Sequence, residues 1–123
     1  MIKGLLLCVA LMSSELTETE QTMLDNVNKS RAAAGLPALE ICPDLQDGTR
    51  KHACWMATYR TMRHASGWME NIAMGQTTCT QVHTTWMNSP GHRAAILRRG
   101  VTKLGVSAYV TPGGTIYWCL RVR

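Results

Sequence analysis

The chain has 123 residues, 46 % of them hydrophobic, and a formal net charge of +5. This length and composition indicate one domain with a substantial hydrophobic core. The charge is uneven, because residues 1–47 sum to −4 and residues 48–123 to +9. A basic half could meet a polyanion. However, no run of basic residues exceeds two, and none alternates with aromatic residues, so nucleic acid is not expected as a partner.

The first 14 residues resemble a short signal peptide. One lysine precedes an apolar run, and the small residues Ser13 and Ser14 follow it. The apolar run is too short to span a bilayer as a helix. We therefore expect residues 15–123 to form the mature domain, secreted, periplasmic or extracellular, monomeric and without a transmembrane segment.

Three helices are predicted in the first two thirds of this domain. Thr17 and Glu20 have the spacing of a capping box, and Gly35 is a suitable stop for the helix that follows. Pro43 opens a second helix, which Gly48 weakens. A short extended piece then covers residues 69–74. The third helix begins at residue 77 or 78.

Residues 86–97 predict the end of one helix, a sharp break and the start of another. Ser89 can cap the new helix with its hydroxyl, and Pro90 suits the first helical position. His92 then lies in the first turn, where the helix dipole favours a neutral imidazole. A neutral imidazole can accept a proton or bind a metal.

Two alternating runs follow Gly100, at residues 104–110 and 116–122. Residues 111–114, Thr-Pro-Gly-Gly, lie between them and predict a hairpin. Helices followed by an antiparallel hairpin indicate an α+β fold.

The cysteines indicate disulfides rather than a zinc ribbon or a thioredoxin-type motif, because no Cys-x-x-Cys pair occurs. Four cysteines remain beyond the expected signal peptide, which suits an oxidising compartment. These four are Cys42, Cys54, Cys79 and Cys119. At least one disulfide, and up to two, is expected among them, and three connectivities are possible. The alternative is four free, buried thiols in a cytosolic protein.

Several separate motifs occur in a characteristic order and spacing, at residues 26–39, 51–57, 64, 70–75, 86–97, 104–106 and 117–118. Together they resemble the CAP superfamily, which comprises cysteine-rich secretory, antigen 5 and pathogenesis-related 1 proteins. The similarity is greatest to the short bacterial SCP-like branch and covers roughly residues 16–122. The resemblance implies a three-layer α-β-α sandwich with a central antiparallel sheet.

The resemblance also implies a cleft lined by two histidines and two glutamates. His64 and His92 match the histidines and Glu70 matches the first glutamate, whereas the second would fall at Ser89. Two imidazoles and one carboxylate could hold a divalent metal such as Zn²⁺ and leave one position open. The same three groups could instead hold a water network. His83 could lean into the cleft, although a structural role is the simpler interpretation.

Three functions compete at this point. The first is a non-enzymatic binding module for a small or lipidic ligand or a cell-surface partner, with no required cofactor. The second is a metal-dependent hydrolase, such as a peptidase, which would use the same cleft. The third is a polyanion-binding domain, which rests only on the basic C-terminal half.

Overall fold

Four helices and four strands follow one another along residues 15–123, the part of the chain that the computed structural model describes. The helices are α1 (Glu18–Ala33), α2 (Pro43–Tyr59), α3 (Cys79–Met87) and α4 (Pro90–Ile96). The strands are β1 (Glu40–Ile41), β2 (Met69–Met74), β3 (Lys103–Val110) and β4 (Ile116–Val122). The expected signal peptide lies outside the described residues. None of the described helices combines the length and apolarity needed to cross a bilayer.

The helix starts follow from local chemistry. Thr17 Oγ1 accepts from the Glu20 N–H at 3.1 Å, and Glu20 Oε1 accepts from the Thr17 N–H at 2.9 Å. This confirms the capping box. Pro43 occupies the start of α2, and Thr78 caps α3 through the N–H of Gln81. The predicted helix starts are therefore correct where they depend on a contact between a side chain and the backbone a few residues away.

The sheet has the strand order β1-β3-β4-β2. The antiparallel pairing of β3 with β4 confirms the predicted hairpin, and β2 pairs antiparallel with the other side of β4. The two-residue β1 departs from the expected antiparallel sheet, because it runs parallel to β3. The Asn28 side chain on α1 fixes this approach, since its amide bonds both the N–H and the carbonyl of Leu39.

Two separate hydrophobic clusters lie on the two faces of the sheet. One face packs against α1, α3 and α4, and its largest buried side chains are Trp86 and Trp118. The other face packs against α2, where Met56 meets Tyr117 and Cys119. Adjacent residues of β4 thus point into different clusters, as strand alternation requires. The α+β fold and its three layers are confirmed.

A buried ion pair ties α1, α2 and β3 together. Arg50 donates to Glu20 at 2.6 Å, and Ser107 donates to the same carboxylate at 3.0 Å. Burial alone would raise the pKa of Glu20, but hydrogen bonds from Arg50 and from the Thr17 N–H outweigh it and hold the pKa below its usual value. The pair therefore stays charged inside the fold.

A second buried cation, Arg31 on α1, holds the end of α4. Its side chain donates to the carbonyls of Pro37, Ile96 and Arg98 at 2.8–3.1 Å, and the residue is 1 % exposed. The last carbonyls of a helix have no intrahelical partner and carry partial negative charge. Arg31 therefore supplies hydrogen-bond donors for the carbonyls at the end of the seven-residue α4.

Candidate functional site

The site is organised around Glu70 on β2, the edge strand opposite β1. The Glu70 side chain is 1 % exposed and shares the α2-facing side of the strand with Ile72. The loop after α2 brings His64 over it, with Nδ1 3.0 Å from Glu70 Oε1. The Ala65 N–H donates to the same oxygen at 3.1 Å. The carboxylate thus holds both the imidazole and the loop backbone.

The second carboxylate oxygen of Glu70 is also engaged. Arg121 lies directly opposite on β4, and its Nε donates to Oε2 at 2.8 Å. The side chains of this ion pair are 1 % and 6 % exposed. The Cys119 thiol donates to the same oxygen at 3.6 Å, and burial together with the charge of Glu70 raises the pKa of that thiol well above its usual value. Glu70 is therefore a positioning group with both oxygens committed.

Arg121 explains the glycine in the middle of α2. A Cβ at Gly48 would lie 2.7 Å from Nη1 of Arg121, so the absence of a side chain at this position leaves room for the guanidinium. The Trp68 ring covers the other side, 4.7 Å from the guanidinium carbon. The Glu70–Arg121 pair is thereby enclosed between α2 and the loop at residues 60–68.

His92 is held by different contacts. Its Nδ1 lies 3.0 Å from Ser89 Oγ, and its carbonyl accepts from the Asn71 amide at 2.9 Å. Ser89 does occupy the N-cap position of α4, but its hydroxyl makes no capping bond to the backbone, so the predicted cap is wrong in its chemistry. The Ser89 hydroxyl bonds the imidazole of His92 instead of the helix backbone.

The two histidines are anchored at neighbouring positions of β2. His64 bonds Glu70, and the backbone of His92 bonds Asn71, the next residue of the strand. Since consecutive side chains of a strand point to opposite faces, the two attachments lie on opposite faces of the same edge.

The expected metal-ligand set is not assembled in this part of the chain. Residues 15–123 contain no group of three His, Cys, Asp or Glu side chains placed to hold a metal ion. Glu70 is engaged by Arg121 and His64, and Asn71 rather than Glu70 holds the backbone of His92. The predicted three-ligand Zn²⁺ site of His64, Glu70 and His92 is therefore not seen among the described residues.

The disulfide prediction is also corrected. Cys42, Cys79 and Cys119 carry free thiols, so no pair forms within the predicted set. Cys54 is disulfide-bonded, but to none of these three cysteines. Cys42 precedes α2, Cys79 opens α3, and Cys119 lies inside β4 against Glu70.

The remaining two histidines have structural contacts. His83 on α3 bonds Ser30 Oγ on α1 at 2.9 Å. His52 stacks on Trp55, with ring centroids 5.7 Å apart, and its Nε2 lies 2.6 Å from the Arg63 carbonyl. These contacts support the structural interpretation of His83.

Sequence reasoning missed two residues that build the site, Arg121 and Asn71. Arg121 had one available signal: it is a cation within an otherwise apolar strand, in a half of the chain whose single acidic residue is Glu70. Asn71 lies in the motif at residues 70–75, but its bond to the His92 carbonyl depends on where α4 meets β2, which the motif does not indicate.

Comparison with known proteins identifies the family. Residues 24–121 match the sequence model of CAP, the cysteine-rich secretory protein family. The uncharacterized protein YkwD of Bacillus subtilis is 30 % identical over 118 residues, covering 81 % of this chain and 46 % of YkwD. The chain thus spans about half the length of that relative.

Solved structures agree with this assignment. An outer surface protein of Borrelia burgdorferi superposes with a TM-score of 0.76 at 19 % identity, covering 83 % of this chain and 89 % of the Borrelia protein. An extracellular protein with an SCP domain from Bacillus anthracis gives 0.74 at 25 % identity, covering 90 % of this chain and 45 % of that protein. NaASP2, solved with Zn²⁺, gives 0.69 at 15 % identity, with coverages of 89 % and 82 %. This chain therefore belongs to the CAP family of cysteine-rich secretory proteins.

Proposed function

We propose that this protein is an extracellular, non-enzymatic CAP-domain binding module whose small-molecule or lipidic ligand meets His64 and His92 across the edge of β2. The observation that carries the proposal is the seat of His64. The buried Glu70 carboxylate is hydrogen-bonded to Nδ1 of His64, while the His64 side chain is 57 % exposed. With Nδ1 bound, Nε2 is the ring nitrogen left to meet a ligand.

The second imidazole supports the same arrangement. Ser89 is hydrogen-bonded to Nδ1 of His92, as Glu70 is to Nδ1 of His64. Both rings are therefore oriented by a hydrogen bond at the same ring atom. Asn71 fixes the backbone of His92 one residue from Glu70, so a ligand touching both rings would straddle the edge strand.

A metal-dependent hydrolase is less well supported. A general base must reach the proton that it removes, and both oxygens of Glu70 already accept from neighbouring groups, including Arg121. The described residues also lack a third ligand for a protein-held catalytic zinc. The groups at this site favour recognition over bond cleavage.

Zinc is nevertheless a useful probe, because it binds imidazole nitrogen and NaASP2 was solved with it. We expect weak Zn²⁺ binding in which the ring signals of His64 and His92 shift together, followed by NMR of histidine-labelled protein. His64→Ala or His92→Ala should abolish this binding. Glu70→Gln should weaken it roughly tenfold, as for the loss of a group that orients a metal-binding histidine.

His83→Gln is the matched control, because it removes an imidazole that is committed to Ser30 on another surface. It should leave the zinc titration unchanged. Equal zinc affinity in wild type, His64→Ala and His92→Ala would contradict the proposal, as would shifts of the two rings at different zinc concentrations.

A further inference from the structure

A ladder of aromatic rings runs along one side of α2. Gly48, His52, Trp55 and Tyr59 are spaced four, three and four residues apart, which places them on one face of the helix. The rings of His52 and Trp55 stack at an interplanar angle of 8°, and those of Trp55 and Tyr59 lie 5.3 Å apart. Tyr59, at the end of the ladder, is 64 % exposed.

The loop at residues 60–68 extends this ladder into a broader surface. The Arg63 carbonyl lies 2.6 Å from His52 Nε2, so the loop folds back along the helix. At its far end Trp68 covers Arg121, which itself lies against Gly48 at the start of the ladder. Two further apolar side chains of this loop stay open to solvent, Met62 at 42 % and Trp68 at 43 %. We call Trp55, Tyr59, Met62 and Trp68 the aromatic surface.

The charges around the aromatic surface have one sign. Lys51, Arg60 and Arg63 are exposed beside it. From residue 48 to the end of the chain the only acidic residue is Glu70, which is buried in its pair with Arg121. The acidic residues of α2 lie in its first turns, at the other end of the helix. Three exposed cations therefore flank the aromatic surface.

We infer that the aromatic surface adsorbs to a bilayer that contains anionic lipids. Trp and Tyr prefer the headgroup region, where an apolar ring and a polar atom are both accommodated. Methionine adapts to irregular apolar surroundings, and arginine and lysine are drawn to anionic headgroups. A carbohydrate polymer fits less well, because one face of Trp55 is already covered by His52. This inference does not depend on a ligand at His64.

Flotation with lipid vesicles tests the inference on the purified protein. We expect binding to vesicles of phosphatidylcholine with 30 % phosphatidylglycerol and little binding to phosphatidylcholine alone. Arg60→Gln/Arg63→Gln should weaken binding roughly 30-fold, at the strength typical of two basic residues near such a surface. Tyr59→Ser/Met62→Ser should weaken it without changing net charge. Brominated lipids should quench tryptophan fluorescence in the wild type.

Matched variants elsewhere keep the test specific. Arg98→Gln/Arg99→Gln removes the same charge from the segment after α4, and Val110→Ser removes an apolar side chain that is 53 % exposed on the hairpin. Both should bind anionic vesicles within about threefold of wild type, because neither variant changes the aromatic surface or the cations beside it. Circular dichroism checks that every variant is folded.

Three results would overturn the inference. The first is equal binding to neutral and anionic vesicles. The second is the same loss in Arg98→Gln/Arg99→Gln as in Arg60→Gln/Arg63→Gln, which would show that net charge alone is responsible. The third is tight binding to soluble polyphosphate, with vesicle binding unaffected by Tyr59→Ser/Met62→Ser, which would identify a polyanion surface instead.

Discussion

Removing the carboxylate of Glu70 should destabilise the fold far more than its single position suggests. The change Glu70→Ala deletes the acceptor for Arg121, His64 and the Ala65 N–H together. Arg121 would then be a guanidinium whose side chain is 6 % exposed, with its carboxylate partner gone. Breaking a buried ion pair in this way costs about 3–5 kcal/mol of unfolding free energy.

A double-mutant cycle measures how much of that loss belongs to the pair. Arg121→Ala should be similarly costly, because it leaves the Glu70 carboxylate buried without its cation. The double variant should cost less than the sum of the two, with a coupling of about 2–3 kcal/mol for groups in direct contact. Urea denaturation is the assay, and a loss of about 4 kcal/mol would lower the midpoint by about 2 M if the slope is about 2 kcal/mol per M.

The exposed pair of Lys103 with Glu40 is the control. Its ammonium and carboxylate are 3.1 Å apart, but the side chains are 42 % and 79 % exposed. Glu40→Ala should therefore cost less than about 1 kcal/mol. A loss in Glu70→Ala as small as that in Glu40→Ala would contradict this expectation, as would additive effects of the Glu70 and Arg121 changes.

Three further outcomes are expected. Trp86→Ala should cost about 3–5 kcal/mol in urea denaturation, because this fully buried indole joins α3 to the sheet; a wild-type midpoint would show that α3 is peripheral. Burial lowers the pKa of His83 below its ordinary 6.5, so the unfolded chain binds a proton at His83 more readily than the folded chain does. The free energy of unfolding should therefore fall as the pH drops below 6.5. The fall should be shallower in His83→Gln, and parallel pH profiles of the two proteins would refute this prediction. In native protein, iodoacetamide should modify Cys42 and Cys79 before Cys119, whose thiol is fully buried and has a raised pKa; mass spectrometry reports the order, and denatured protein should react at all three.

Local features of the fold could be predicted from the sequence. The capping box of Thr17 and Glu20, the start of α2 at Pro43 and the final hairpin each depend on neighbouring residues or on period-two alternation. The two-residue β1 could not be predicted. It is too short for periodicity to show, and the Asn28 amide that sets its position lies on α1.

The contact of His64 with Glu70 was predictable from the sequence, whereas the other partners of Glu70 were not. The spacing of the family motifs selected His64 and Glu70, which do meet. The partner of Glu70 across the sheet follows from the register of β2 against β4, and nothing near Arg121 in the sequence encodes that register. A charged residue in an alternating strand is usually expected to face solvent, whereas both faces of β4 are covered.

The count of cysteines was a poor guide for a related reason. An even number in a small secreted domain restricts the pairings but contains no distances. Here the buried thiol of Cys119 hydrogen-bonds to Glu70, a role that composition alone cannot distinguish from half of a disulfide.

The seat of Arg31 bears on how this domain could be engineered. The segment from Ser89 to Gly100 contains a turn, a short helix and a histidine, and its sequence alone suggests that it could be transferred to another protein. Yet the carbonyls at its end are held by a guanidinium more than sixty residues earlier in the chain. Grafted onto another scaffold without that arginine, the segment would lose the donors that hold its end. Its start would also lose the Asn71 amide that holds the His92 carbonyl. A chimera that exchanges this region between relatives should therefore transfer the first helix together with it.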